Sequence, residues 1–501
     1  MRAVQTHGDG EELPLRGSVD GCDVEGRKED VDEKGWDVDT CFLQRVGECG
    51  RGQRWRAAAA SLAWAPGAVQ TLVLVFAAQQ VPRTCLQDNC EGCRDPGWTW
   101  QEPSSHSVVS TFDLVCERAW MLQFLNVIYF FGFLFGAGYY SSLSDRTGRK
   151  RALFLSCASS AGVASLSAIA PNYWTLAITR CMTGFTNAGI GLAAFVLTME
   201  YVGPNVRGRV GLVTHCFFTA GLCLLPAVAY FVRNWRALMA FSSLSALLYL
   251  PVCHWLPESP RWLLVHGKQE EARTVLESLA EANGTHLGDV EFTAHPQDEG
   301  SRPGLKSLLG TKERRSKLMV LTYTWCMISA VYYGLQLGVG DLAGTIYINF
   351  FLQSIIEVPS TLTAAFTVDH LGRQPTFVTA LLGAAAGCFV CALSTGTVRM
   401  VGAVLGKFFV TGAFNSAFLY TSEMFPTVVR NGAVGLCSQA ARIGGIVAPA
   451  VIYMGTALDS AGTYYVVFGL VMAVAGLLSL NLPETRGAHL SDALEDADPP
   501  P

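Results

Sequence analysis

Five residues that carry or can take a charge lie inside long apolar runs: Arg180, His215, Glu357, Lys407 and Arg442. A charge in hydrocarbon is costly enough to make function the first hypothesis for each, with a buried protein partner as the competing one. Arg442, in CSQAARIGGIVAP, offers a planar guanidinium that can hold a carboxylate or sulfate through two parallel hydrogen bonds. Glu357, in FLQSIIEVPS, is the obvious acid to neutralise it in the absence of ligand, and the two together fit a zwitterion. Lys407 and Arg180 need buried partners in the same way and rank below Arg442 as ligand contacts. His215 can bond a ligand, titrate near neutral pH, or satisfy a neighbouring helix. Trp325 and Tyr332 are seven residues apart, two helical turns, and so share one face. With Tyr333 and Phe350 they offer aromatic surface to a flat ion, or pack as ordinary membrane-helix anchors.

Only helices that cross a bilayer can position such residues. Of 501 residues 50% are hydrophobic and 15% charged, well outside the usual soluble mix. Apolar segments of about 17 to 25 residues, the length a bilayer core requires, begin near residues 57, 120, 152, 174, 210, 236, 317, 342, 376, 399, 432 and 462. The expectation is an all-α polytopic membrane protein of twelve transmembrane helices in two six-helix groups, 57–256 and 317–482. A loop at 257–316 joins them, and tails at 1–56 and 483–501 flank them. Residues 1–56 are polar and lack apolar periodicity, which reads as a mostly disordered tail. The sequence starts without an apolar signal-peptide core, so the first helix is expected to direct insertion.

Lys and Arg concentrate in the loops around residues 146–151, 207–209, 257–316, 373 and 430, which places those loops and both tails in the cytoplasm. The opposite face has one long loop, 79–118, with Cys85, Cys90, Cys93 and Cys116. Four cysteines in an oxidising compartment allow two disulfides in three connectivities. A zinc site at Cys90 and Cys93 lacks the second ligand pair, so no metal is expected. The sequon Asn283-Gly284-Thr285 falls in a cytoplasmic loop, where it goes unused. Basic residues form no recognition patch, which argues against nucleic acid as a partner. No HExxH, GxSxG or P-loop is present and GVGDLAG follows no strand, so an enzyme is not expected.

The strongest pattern is a duplication. Asp145, Gly148 and Arg149 in SDRTGRKR recur 224 residues later as Asp369, Gly372 and Arg373 in DHLGRQ. Glu200 and Arg207 recur as Glu423 and Arg430, and Pro257-Glu258 as Pro483-Glu484, at nearly the same offset. Shared surface composition predicts charges at helix ends but not four matched motifs. Two halves with the same in-out sense are the parallel repeats of a rocking transporter, with a midplane ligand site between them. The duplicated charges then serve as a gate, paired when the cavity opens outward and broken when it opens inward.

DRTGRK and DHLGRQ resemble the loop signature of the major facilitator superfamily. LPESPRWLL (256–264) and YTSEMFPTVVRNG (420–432) resemble its organic cation and anion transporter family, solute carriers for amphiphilic organic ions. TWCMISAVYYGL, GKFFVTGAFNSAFLYTSE and LPETRG follow in the family's order, and the likeness runs from about residue 42 to 487. It implies a plasma-membrane carrier that needs no cofactor. The implied partners are a small organic ion, the lipid bilayer and an exchanged counter-ion. Arg442 stands where the family's cation transporters carry aspartate and its anion transporters arginine, which implies organic anions. Thr361 stands where anion transporters often carry lysine, and Glu357 where relatives of both selectivities keep an acid, so cations and zwitterions stay open. Trp325, Tyr332, Tyr333 and Phe350 correspond to aromatic walls, and His215 to a glutamine of cation transporters. Ser141 and Gln374 depart from the loop signature, which implies a weaker gate and keeps a non-transporting receptor or regulator as the alternative.

Overall fold

The computed structural model describes residues 36–85, 98–292, 309–458 and 461–487. Within them twelve long helical rods follow the apolar segments. They are α1 (Arg51–Ala77), α2 (Trp120–Thr147), α3 (Arg149–Ala168), α4 (Tyr173–Glu200), α5 (Arg207–Phe231), α6 (Trp235–Trp255), α7 (Lys312–Leu337), α8 (Ile346–Leu371), α9 (Arg373–Leu393), α10 (Gly396–Met424), α11 (Thr427–Ala457) and α12 (Ala461–Ser479). Eleven are long and apolar enough to cross a membrane. The exception, α3, starts with Arg149, Lys150 and Arg151 and is rich in serine. Ser156, Ser159, Ser165 and Ser167 fold their hydroxyls back onto carbonyls three or four residues earlier, and Ser159 and Ser165 also bond Tyr140 of α2 and Ser243 of α6, so this polarity is satisfied within the bundle.

Two rods are broken by proline. Pro66 has no N–H to offer the Leu62 carbonyl, and α1 turns at residues 62–63. Pro359 likewise cannot reach Ile355, and α8 divides into Ile346–Ile355 and Glu357–Leu371. The second break puts Glu357 at the head of a helical segment, where the exposed N–H dipoles favour a carboxylate.

Helices α1–α6 and α7–α12 form two bundles, joined mainly where α2 meets α11 and α5 meets α8. Small residues set the closest approaches. A Cβ at Gly132 or Gly184 would strike the carbonyl of Cys181 or Tyr129 on the facing helix, and one at Gly444 the carbonyl of Cys326. The bundles also touch at the end away from the charged loops, where Phe76 meets Tyr347 (5.5 Å) and Phe350 (4.9 Å) and Tyr230 meets Tyr347 (5.5 Å).

The expected disordered tail is corrected from residue 36 onward. Trp36, Val38, Cys41, Phe42 and Val46 are buried against Trp262, Leu263, Leu276, Leu279 and Phe292 of the inter-bundle loop, in a core of its own. Val38, Cys41, Phe42 and Val46 share one face of two short helical turns, a pattern too brief to stand out from the polar tail around it, and the partner is remote in sequence. Asp39 anchors this segment to Arg207 (2.6 Å) and to Arg261. The side-chain amide of Asn283, in the sequon, donates to Val46 O and Gln53 Oε1 and is thus occupied by the same contact. In the 79–118 loop, β1 (Arg83–Cys85) pairs antiparallel with β2 (Trp98–Trp100). Cys116 is disulfide-bonded, while Cys90 and Cys93 lie outside the described residues, as does the side chain of Cys85.

Candidate functional site

At mid-height between the bundles, α8 presents Glu357 to two hydroxyl donors and a cation. Tyr332 of α7 gives its hydroxyl to Oε1 (2.5 Å), Thr219 of α5 gives its hydroxyl to Oε2 (2.8 Å), and Lys407 of α10 lies 3.1 Å from Oε1. All four residues are buried; Lys407 is 0% and Glu357 4% exposed. The lysine also sits over the Tyr332 ring, 3.1 Å from its centroid. The partner expected for Glu357 is therefore corrected: it is Lys407, not Arg442. The bond from Thr219 joins one bundle to the other, and nothing in the sequence around Thr219 marks it for that role.

Arg442 of α11 is half-buried and meets no carboxylate among the described residues. Its Nη1 bonds the carbonyl and hydroxyl of Ser438 one turn back, its Nε has no partner, and Phe133 of α2 lies 5.5 Å away. Tyr333 faces Phe130 of α2 at 4.6 Å, on the same α2 face that continues to Phe133. A guanidinium with spare donors beside aromatic rings suits an anionic group attached to a flat apolar body.

The aromatic residues separate into two groups. Trp325 and Tyr332 do share a face, since both pack on Phe414, at 5.9 and 6.0 Å. Trp325 also gives its indole N–H to Thr421 (3.0 Å) and is buried within its own bundle. Phe350 belongs instead to the closed end, wedged against Phe76. His215 donates from Nδ1 to the Gly211 carbonyl (2.9 Å), lies against Trp64, and reaches Phe418 of the opposite bundle. That satisfies its helix and places the ring at the contact between the bundles.

The duplicated motifs converge on two matching clusters. Arg149 binds Glu200 (3.1 Å) and Asp145 (3.3 Å), and Arg373 binds Glu423 through two nitrogens (2.9 and 3.0 Å). The Pro-Glu echoes complete them. Glu258 accepts from the backbone N–H of Arg149 (2.8 Å) and Lys150 (3.0 Å), and Glu484 from Arg373 (2.8 Å) and Gln374 (3.0 Å). Each carboxylate thus caps the start of α3 or α9, where N–H groups would otherwise lack partners. Gly148 (φ +99°) and Gly372 (φ +106°) are required because a Cβ there would both strain the backbone and collide with the capping carboxylate. Tyr201 and Tyr420 hold the preceding Pro257 and Pro483 carbonyls at 2.5 and 2.6 Å.

Burial alone would raise the Glu484 carboxyl, but four backbone N–H groups hold it below its ordinary value. Gln374, expected to weaken its cluster, donates to the carbonyls of Leu480 (2.9 Å) and Leu482 (2.7 Å) and ties α9 to the end of α12. Arg207 turns to Asp39, Arg430 bonds the Phe425 carbonyl, and among the described residues neither Arg430 nor Asp369 forms an ion pair. Among the described residues these ion pairs lie within one bundle or with the segment at Asp39, and they are formed while the far end is closed, so the expected gate that breaks when the cavity opens inward is corrected. The carboxylate of Asp145 is 67% exposed.

The profile of a family described as sugar (and other) transporters matches residues 101–496. The chain is 36% identical over 490 residues to organic cation/carnitine transporter 4 of Arabidopsis thaliana, covering 93% of this chain and 92% of that one. It is 35% identical over 405 residues to solute carrier family 22 member 3 of Mus musculus, covering 80% and 73%. Among solved structures, the inward-open conformation of the xylose transporter XylE from E. coli superposes with a TM-score of 0.66 at 18% identity, over 89% of this chain and 99% of that one. The match over most of the chain, together with the duplicated clusters, shows that the protein belongs to the major facilitator superfamily, in the group of solute carrier family 22 organic-ion transporters, and is a membrane transporter, not an enzyme.

Proposed function

We propose that the protein is a plasma-membrane carrier of amphiphilic organic anions that works by rocking its two bundles. The observation that carries the anion reading is the division of the midplane charges. Glu357 is neutralised by Lys407 and further held by Tyr332 and Thr219, whereas Arg442 has unused donors and no acid. The site therefore offers a net positive charge to a ligand. The clusters around Arg149 and Arg373 stiffen each bundle at the end that faces the cytoplasm, and the aromatic contacts of Phe76, Tyr230, Tyr347 and Phe350 close the other end. On this reading the carrier is facing inward. A counter-ion exchanged across the membrane supplies the driving force.

A zwitterion is the second reading. It is favoured by the rings of Phe130, Phe133 and Tyr333 beside Arg442, which can face a quaternary ammonium while the guanidinium takes the carboxylate. It also agrees with the naming of a 36% identical relative for organic cations and carnitine. Uptake of labelled organic anions, cations and a betaine into vesicles separates the readings. Arg442→Asp abolishes anion uptake if the reading holds; unchanged selectivity in a variant that reaches the surface rules Arg442 out. Ligand binding with no saturable flux for any compound would replace the carrier by a receptor.

A further inference from the structure

We propose that Arg180 forms a binding site for a small monovalent inorganic anion of the halide class, inside the first bundle and separate from the organic-ion site. Arg180 is 1% exposed, and it is the one fully buried arginine among the described residues. Its Nη1 bonds the Gln70 carbonyl (3.1 Å), while Nε and Nη2 have no partner. No carboxylate pairs with it among the described residues. Its closest electrostatic neighbour is Tyr129, whose ring lies 4.5 Å below the guanidinium.

The contrast with the other midplane cations is informative. Lys407 has Glu357, and Arg442 is half-buried at the interface between the bundles. Arg180 is enclosed by α1, α2 and α4 and has neither. A buried, unpaired cation is strongly disfavoured, so a protein that keeps one needs a counter-charge from elsewhere. The wall around it is polar. Of the acceptors of Tyr129, Thr71, Asn187 and Gln70 only Asn187 Oδ1 is without a partner, and it is neutral and supplies no counter-charge. The Tyr129 hydroxyl, Thr71 and the Asn187 amide bond one another (2.6 to 3.1 Å) and the Gly67 carbonyl. Gln70 is spent on Ser160 (2.5 Å) and on the Ser242 carbonyl (3.4 Å). A dehydrated halide next to Nε and Nη2 supplies the missing charge and accepts both orphan N–H groups.

Tyr129 also carries the site's influence outward. Its ring touches Phe130 (5.4 Å), and Phe130 meets Tyr333 of the second bundle. Occupancy is therefore felt at the contact that flanks Arg442.

The test needs no organic substrate, so it stands or falls apart from the carrier reading. Purified protein is melted in sodium gluconate with increasing sodium chloride or bromide at constant ionic strength. The wild type is expected to gain several degrees in melting temperature with a saturable halide dependence. Arg442→Gln is expected to keep that response and Arg180→Gln to lose it, while Arg180→Lys, which keeps the charge, retains a weaker one. Anomalous scattering from bromide within contact distance of Arg180 is the direct readout should Arg180→Gln fail to fold. No saturable halide response in the wild type, a response that survives in Arg180→Gln, or bromide found only at Arg442 would overturn the proposal.

Discussion

Removing Lys407 alone should damage the protein more than removing Lys407 and Glu357 together. At 3.1 Å and an effective dielectric of about 20, the pair attracts by about 5 kcal/mol. Lys407→Met deletes that attraction and leaves a carboxylate that is 4% exposed with only the Tyr332 and Thr219 hydroxyls. Breaking a buried pair in this way costs about 3 to 5 kcal/mol, whereas replacing both charges is often neutral. Thermal melts of Lys407→Met, Glu357→Gln and the double variant form the cycle. Both single variants should melt well below wild type and the double variant should recover most of the loss. The freed carboxylate also predicts a change in selectivity: Lys407→Met takes up a labelled organic cation faster than wild type. If the losses are additive, or the single variants melt like the double one, then Lys407 does not neutralise Glu357 and the charge argument for an anionic ligand fails with it.

Arg149→Ala and Arg373→Ala each remove an ion pair whose partners are less than one-fifth exposed, and each should cost about 1 to 3 kcal/mol and slow transport at similar surface level, with matching size in the two halves. A large effect in one and none in the other refutes equivalent roles. For Asp39, burial raises the carboxyl, but Arg261 and Arg207 more than reverse this and hold it below its ordinary 3.8. A depressed acid stabilises fully above 3.8 and loses that contribution as pH falls through the lowered value. Asp39→Asn should therefore cost about 1 kcal/mol near neutral pH and flatten the acid limb of a pH–melting profile; an unchanged limb rejects the anchor. Phe350→Ala empties a fully buried site at the closed end, should cost about 3 to 5 kcal/mol, and should speed labelling of a single Thr361→Cys by an impermeant thiol reagent added from that side. Equal labelling rates would place the closure elsewhere.

The twelve-helix plan and its duplication were legible because they rest on local features: apolar length, and motifs short enough to keep their spacing in both halves. The role of Glu258 and Glu484 was half legible, since the Pro-Glu echo was visible while the helix starts they cap lie over a hundred residues away. Partner choice was not legible at all. Glu357, Lys407 and Arg442 lie on three helices, and which two charges meet depends on how α8, α10 and α11 are rotated in the bundle. Pro359 turns Glu357 away from the register that a straight α8 would give it. The folded segment at Trp36–Val46 was hidden for a different reason: Val38, Cys41, Phe42 and Val46 do fall on one face of two short helical turns, but the helical stretch is only nine residues long, lies in a polar tail, and packs on a remote part of the chain. The charge pairing at the midplane is thus set at the level hardest to read from sequence. The pairing of Glu357 with Lys407 is what leaves Arg442 without an acid among the described residues, and the proposed anion reading rests on it.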